Sequence, residues 1–126
     1  GVTFLFDENL PVPAAQALKA VGEPVTHVQA EGLRGAKDVD LAERLRANGW
    51  ILVTADSRIR KRVQERAAFL AAGAAVFVFS GKAERTGHDW LALIFHRWKD
   101  ITRFAEANAA PYLVQVPDRG AIKRLR

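Results

Sequence analysis

Residues 4–11 read FLFDENLP, and this stretch decides how the rest of the chain can be interpreted. Its apolar residues predict a strand buried on both faces, from Val2 to Phe6. Pro11 and Pro13 follow, and proline is common in the first turn of a helix, so we predict a helix over residues 14–21. A buried strand that leads directly into a helix is the first half of an α/β unit.

The alternation of strand and helix continues along the chain. The hydrophobic pattern predicts strands over 25–28, 50–54, 75–79 and 112–116, and helices over 39–48, 57–72 and 89–108. The helix over 57–72 would place Ile59, Val63, Ala67 and Leu70 on one face. This order predicts an α/β fold, a three-layer α/β/α sandwich with a mostly parallel central sheet. Its 126 residues suit a single domain.

Composition excludes several classes of protein. With 49% hydrophobic and 26% charged residues the chain can bury a core, so it is not a disordered protein. It has no cysteine, which excludes disulfides, thiolate catalysis and cysteine metal sites. Its apolar runs are too short for a membrane span, and its first residues do not resemble a signal peptide. We therefore expect a cytoplasmic protein with no membrane partner.

Basic residues are concentrated in two stretches. The chain carries 19 Lys and Arg against 14 Asp and Glu, a formal charge of +5. Residues 58–66 read RIRKRVQER and residues 119–126 read RGAIKRLR. Such stretches bind polyanions such as RNA or DNA by releasing counterions. A solvated helix face and a frayed tail would explain the same pattern equally well.

Carboxylates occur where the predicted strands end. Asp7 follows the first strand, Asp56 follows the third with Thr54 before it, and Asp38 begins the helix that leads to the third strand. Ligands of open parallel sheets bind beyond the carboxyl ends of the strands. Carboxylates gathered there repel each other unless a cation is present, and hard oxygen ligands favour Mg²⁺ or Mn²⁺. Such an ion can activate water to hydrolyse a phosphodiester.

Each of these acids also has a purely local explanation. Asp7 could cap the helix that follows it, and Asp38 is a good N-cap by sequence alone. Asp56 could form a turn with Ser57.

The chain resembles the PIN-domain nucleases, in particular the PIN-like branch that includes toxins of bacterial toxin–antitoxin pairs. The resemblance is carried by FLFDENLP and by KDVDLAERLRANGWILVTADSRI, residues 37–59, and continues through residues 65–81 and 110–116. It implies a PIN-like fold and a Mg²⁺- or Mn²⁺-dependent endoribonuclease. It also implies the toxin of a type II toxin–antitoxin pair, with RNA, a cognate antitoxin and a second copy of the chain as partners.

The resemblance also assigns roles within the candidate site. It implies that Asp7, Asp38 and Asp56 bind the metal and are the catalytic residues, with Thr54 supporting them through hydrogen bonds. The family commonly has a fourth acid, a helical glutamate between the first strand and the position of Asp38. That region is short here, where Glu31 lies in a predicted loop.

Other residues are assigned around this set. We predict Glu8 or Asp40 as the substitute for the fourth acid, and Glu8 and Asn9 as support for the site or as exposed residues. Asp40 would point away from the side chain of Asp38. The substrate-binding residues are predicted to be Arg58, Arg60 and Lys61, with Arg58 contacting phosphate or pairing with an acid.

Several alternative functions are open. The chain could be a catalytically degenerate PIN-like module that binds RNA or a protein partner without cleavage. A response-regulator receiver, with Lys82 as its lysine, fits the spacing of the acids poorly. A phosphatase of the haloacid-dehalogenase type would need an aspartate where Asn9 stands. A Rossmann nucleotide-binding domain would need a glycine-rich motif after the first strand.

Overall fold

The architecture is a six-stranded sheet with helices on both faces. The computed structural model describes residues 2–81 and 84–125, so Lys82 lies outside the described residues. The strands are Thr3–Phe6 (β1), Val25–His27 (β2), Trp50–Thr54 (β3), Ala75–Phe79 (β4), Tyr112–Val116 (β5) and Lys123–Arg124 (β6). The helices are Val12–Ala20 (α1), Asp38–Asn48 (α2), Ser57–Lys61 (α3), Val63–Ala71 (α4) and Gly87–Ala107 (α5).

The strand order is β2-β1-β3-β4-β5-β6. The first five strands are parallel, and β6 pairs antiparallel with β5. The prediction of an α/β sandwich with a mostly parallel sheet is confirmed. Among the described residues no helix is long and apolar enough to cross a membrane.

Each face of the sheet is covered by its own hydrophobic core. Phe4 and Phe6 of β1 point to the face covered by α1 and α5, where Trp98 meets their rings edge-on at centroid distances of 4.9 and 5.8 Å. Leu5, between them, points to the opposite face. That face is covered by apolar residues of three helices, Leu41, Ala42, Leu45, Ile59 and Phe69. The continuous apolar run of β1 thus reflects burial on both faces.

The predicted continuous helix over 57–72 is wrong. Arg62 has an extended backbone (φ −116°, ψ 121°) and separates α3 from α4. Arg58, Arg62 and Arg66 would stand four residues apart on one helix, where like charges repel. With the break in place, Ile59 of α3 and Phe69 of α4 are both fully buried in the same core.

The buried face of this segment also differs from the prediction. Ile59 is buried as expected, but Val63 is 69% exposed and Leu70 is 43% exposed. Phe69 is the residue of α4 that enters the core. The break at Arg62 changes the phase of the second helix, so one helical repeat cannot describe both parts.

The basic tail pairs with the sheet within the described residues, so the alternative of a frayed tail is wrong there. The backbone N–H of Leu125 donates to the carbonyl of Leu113 (2.8 Å), which extends the pairing of β6 with β5. The buried Arg97 of α5 donates through Nη2 to the carbonyl of Gly120 (2.7 Å). The tail therefore closes one edge of the sheet.

The helix α5 begins two residues earlier than predicted. The Oγ1 of Thr86 accepts from the backbone N–H of Asp89 (3.0 Å), and the carboxylate of Asp89 accepts from the N–H of Thr86 (3.1 Å). This reciprocal capping box fixes the start of the helix at Gly87.

The order in which the chain adds strands to the sheet reverses at β1, and this reversal positions the candidate site. From β1 the chain passes through α1 to β2 on one side, while β3, reached through α2, lies on the other side. The two helices cover opposite faces of the sheet. The carboxyl ends of β1 and β3 therefore border the crevice that forms where the strand order reverses, the usual ligand site of open α/β sheets.

Candidate active site

Asp7 lies at this crevice, directly after β1. Its Oδ2 accepts a hydrogen bond from the hydroxyl of Thr54 (2.9 Å), and its Oδ1 accepts from the backbone N–H of Glu8 (2.8 Å). The residue that caps α1 is Pro11, so the helix-cap interpretation of Asp7 is wrong. Burial raises the pKa of Asp7, although these two hydrogen bonds act in the opposite direction. The two hydrogen bonds thus hold the carboxylate of Asp7 in place, whereas burial disfavours its negative charge.

Thr54 connects the ends of β1 and β3. Its side chain is fully buried, and its hydroxyl donates to Asp7 while accepting from the backbone N–H of Asp56 (3.1 Å). A hydroxyl has one proton and can do both. Thr54 therefore fixes Asp7 relative to the turn that carries Asp56.

Asn9 joins the two loops that follow these strands. Its Oδ1 accepts from the backbone N–H of Ala55 (3.0 Å) and lies 3.3 Å from the Oγ1 of Thr54. The single hydroxyl proton of Thr54 goes to the nearer oxygen, that of Asp7. Glu8 is exposed, and its charge adds to the raised pKa of Asp7, which burial mainly causes.

Asp56 is held by Arg58. Asp56 caps α3 by accepting from the backbone N–H of Arg58 (2.9 Å), and the guanidinium of Arg58 donates to both carboxylate oxygens, with Nη2 at 2.8 Å. Burial alone would raise the pKa of Asp56, but these hydrogen bonds and the positive charge outweigh burial and hold it below its ordinary value. Of the two predicted partners of Arg58, the structure shows the acid.

Asp38 is paired with an acid that the sequence analysis did not assign. It is the first residue of α2, and the N-cap of that helix is Lys37, so the N-cap prediction is wrong. Its carboxyl group is hydrogen-bonded to the carboxyl group of Glu65, which requires a proton between them. Burial, this hydrogen bond and the charge of Glu65 raise the pKa of Asp38 to about 6.

Glu65 could have been found from the chain topology. A helix that joins two parallel strands runs against them, so its first turn lies at the carboxyl edge of the sheet. Glu65 is in the first turn of α4 and therefore lies at that edge. Placing it inside one long helix over 57–72 hid this position. Glu65 is the one acid within the basic stretch RIRKRVQER.

The acids of the two groups act on each other through their charges. In addition to burial, which is the main cause in each case, the negative charge of Asp56 contributes to the raised pKa of both Asp7 and Asp38. Asp40 is exposed on α2, two positions beyond Asp38. The crevice therefore combines Asp7 and Asp56, linked through Thr54, with the pair formed by Asp38 and Glu65.

Comparison with known proteins identifies the family of this domain. A family model described as PIN like domain matches residues 2–81, which is more than half of the chain and contains all four of these acids. The chain belongs to the PIN-like domain family. PIN domains are generally nucleases, and they typically use divalent metal ions. No significant match was found among the curated proteins or the solved structures.

The donor chemistry of this PIN-like domain suits a hard divalent cation, whereas the spacing of the donors does not yet form a metal site. The four acids offer carboxylate oxygens, and two of them have raised pKa values. Within residues 2–81 and 84–125, however, no three His, Asp or Glu side chains stand close enough together to hold a metal ion. Convergence of Asp7, Asp38 and Asp56 on one ion therefore stays a prediction.

The pair formed by Asp38 and Glu65 predicts a pH dependence of stability. The folded protein binds a proton at Asp38 up to about pH 6, whereas the ordinary pKa is 3.8. Folded molecules thus hold more protons than unfolded ones between about pH 4 and 6, and the free energy of unfolding falls as the pH rises through that range.

Glu65→Gln keeps a hydrogen-bond partner for Asp38 but removes the repulsion between the two carboxylates. We expect it to stabilise the domain by about 1 kcal/mol at pH 7, allowing for the partial exposure of Asp38, and to have no effect near pH 3.5.

Urea unfolding of both proteins from pH 3.5 to 8 measures this effect. Glu43→Gln, which removes the same charge from an exposed position of α2, is the control and should be neutral at every pH. An equal gain in both variants would mean that general charge, rather than the carboxyl pair, sets the stability.

Proposed function

We propose that this PIN-like domain is a metal-dependent endoribonuclease that hydrolyses RNA phosphodiester bonds with Mg²⁺ or Mn²⁺. The observation that carries the proposal is the placement of Asp7, Asp56, Asp38 and Glu65 at the crevice where the strand order reverses. In addition to burial, the negative charge of Asp56 raises the pKa of both Asp7 and Asp38, so it disfavours their ionised forms. A divalent cation removes that conflict, since it favours the ionised form of every ligand.

The side chains have distinct roles in this proposal. Asp7, Asp38 and Asp56 hold the ion, and Glu65 takes the place of the fourth acid. When bound, the ion lowers the pKa of a water molecule and offsets the charge that develops on phosphate. Thr54 fixes the orientation of Asp7 through its 2.9 Å hydrogen bond.

Arg58 has a second role in the proposal. It neutralises Asp56 in the structure, so it must release that carboxylate before Asp56 can serve as a metal ligand. Once released, its guanidinium is next to the reacting phosphate and can bind it with two donors. Arg60 and Lys61 follow on α3 and extend the positive charge along the substrate.

The biological role proposed here is that of the toxin in a type II toxin–antitoxin pair, acting in the cytoplasm. It rests on the resemblance of the motifs at residues 4–11 and 37–59 to that branch of the family. A cognate antitoxin and a second copy of the chain are the proposed protein partners.

The experiment that tests the enzymatic proposal is RNA cleavage by the purified domain. Single-stranded and structured RNAs are incubated with Mg²⁺, with Mn²⁺ and with EDTA. We expect cleavage with either ion and none with EDTA. We also expect Mn²⁺ without RNA to raise the melting temperature at pH 7, because an ion that binds only the folded state stabilises it. Cleavage that continues in EDTA would contradict the proposal.

A second candidate function is supported by a specific observation. The described part of the chain has no three acids close enough to share an ion, and the carboxylate of Asp56 is already paired with Arg58. Both features suit a PIN-like module that binds RNA or a protein without cleaving. If the wild-type protein cleaves no RNA or DNA with either metal while still binding RNA, this second function is the correct one.

A further inference from the structure

A polar cavity of about 280 Å³ lies next to the loops that carry Asp7 and Asp56, on the side of β4. Its walls come from the loops that follow β1, β3 and β4 and from the helices α3 and α5. Asn9 and Ala55, which join the loops after β1 and β3, form the border with the acidic crevice. The volume is just below the roughly 300–1,000 Å³ seen for small-ligand sites, so it suits one nucleotide rather than a larger ligand.

Two cations of α3 line this cavity, Arg60 and Lys61. The Nε of Arg60 is buried and, within the described residues, has no hydrogen-bond partner. A buried donor without an acceptor destabilises the structure that contains it. A phosphate oxygen in the cavity would supply that acceptor together with the opposite charge.

An aromatic side chain forms another wall. The ring of Trp90, in the first turn of α5, packs edge-on against Phe79 at a centroid distance of 5.8 Å. The guanidinium of Arg85 lies 5.2 Å from the centre of the same ring. These contacts hold the ring in one orientation, and a fixed aromatic surface next to cations is the combination on which unpaired bases stack.

The amide of Asn9 adds a polar contact. Its Oδ1 is engaged by the backbone N–H of Ala55 (3.0 Å), which directs its NH₂ group to act as a donor elsewhere. Ser80, which follows β4, also lines the cavity, but its hydroxyl donates to the carbonyl of Val116 (3.4 Å) and is not a free donor. The cavity therefore offers donors as well as an aromatic wall.

We propose that this cavity binds one unpaired nucleotide of a single-stranded RNA, with its base on Trp90 and its phosphate on Arg60 and Lys61. The proposal deepens the ribonuclease function and rests on it, because it places the nucleotide next to the bond that the acids would cleave. A base inside a duplex is already stacked and paired and cannot enter a cavity of this size. The cavity thus selects single strands over duplexes.

Binding of labelled RNA in EDTA tests the contact with the base, since neither metal nor cleavage is needed. Anisotropy compares an eight-nucleotide RNA with an abasic oligomer of the same length, for the wild-type protein and for Trp90→Leu. We expect the abasic oligomer to bind wild type about tenfold more weakly or worse, and Trp90→Leu to remove most of that difference. The proposal would be overturned if a Trp90→Leu protein that melts like wild type showed the same difference in affinity between RNA and the abasic oligomer. It would also be overturned if duplex RNA bound as tightly as the single strand.

The phosphate contact is tested independently with surface substitutions. Arg60→Gln combined with Lys61→Gln is compared with Lys99→Gln combined with Arg103→Gln, which removes the same charge from exposed positions of α5. The logarithm of the association constant K falls as the logarithm of the salt concentration rises. For a single strand, each lost phosphate contact makes this slope shallower by about 0.7. We expect a decrease of about 1.4 for the first pair and a much smaller one for the control pair. Equal decreases would show that net charge alone attracts RNA.

The outcomes separate this proposal from the enzymatic one. Failure of both binding experiments in a protein that cleaves RNA would reject the cavity and leave the ribonuclease function. Success of both in a protein that never cleaves would reject the ribonuclease and keep the nucleotide site.

Discussion

Asp7→Asn is expected to lower the rate of RNA cleavage by at least about 10²-fold, comparable to the loss of one charge-stabilising group in other enzymes. Asparagine keeps the size of aspartate but lacks the negative charge that would hold a cation between the acids. The measurement is the initial rate of cleavage with saturating Mn²⁺. Asp56→Asn should reduce the rate to a similar extent.

The asparagine variant of Asp7 should fold normally. The Oδ1 of the asparagine that replaces Asp7 can accept from the N–H of Glu8, while its NH₂ group donates to the hydroxyl of Thr54. That hydroxyl can then turn its proton to the Oδ1 of Asn9, which is 3.3 Å away. Burial raises the pKa of Asp7 and so disfavours its ionised form, and the neutral amide avoids that cost.

The control for these two variants is Glu43→Gln, which removes a negative charge from an exposed position of α2 and should cleave at the wild-type rate. Circular dichroism and the melting temperature verify the fold of each protein. If cleavage persists in both aspartate variants, the carboxylate mechanism is wrong.

The largest effect on stability is expected for Trp98→Ala. The side chain of Trp98 is 4% exposed and packs against the rings of Phe4 and Phe6. Removing it leaves a cavity between α5 and β1, which costs about 3–5 kcal/mol. Such a loss is a large part of the total stability of a small domain. Equilibrium unfolding in urea measures it directly.

Phe95 provides a matched control on the same helix. It is 43% exposed, so Phe95→Ala removes an aromatic ring that is only partly buried. We expect a loss below about 1 kcal/mol. Similar losses for both variants would mean that helix α5 is not held by the packing of Trp98 against β1.

The sequence predicts the fold well where burial alone determines structure. The run from Val2 to Phe6 is apolar because both faces of β1 are covered, and the position of the strand follows directly. The end of β1 then locates Asp7, and the end of β3 locates Thr54 and Asp56. Because parallel strands expose their carboxyl ends at one edge, these residues are neighbours before any contact is known.

Features that depend on contacts between distant elements were not predictable in this way. The break at Arg62 gives α4 a buried face different from the one that a single helical repeat over 57–72 predicts. That break places Glu65 next to Asp38, so an error in one helix also concealed an acid of the candidate site. The pairing of Arg58 with Asp56 likewise depends on geometry that charge counting does not provide.

The pairing of β6 with β5 has a consequence for how copies of this chain meet. An unpaired strand at the border of a sheet is a template on which further strands can add. Here that border consists of Lys123 and Arg124, both exposed. A second molecule docking there through its own β6 would bring four positive charges together. The two basic residues thus disfavour the pairing of two copies through their β6 strands.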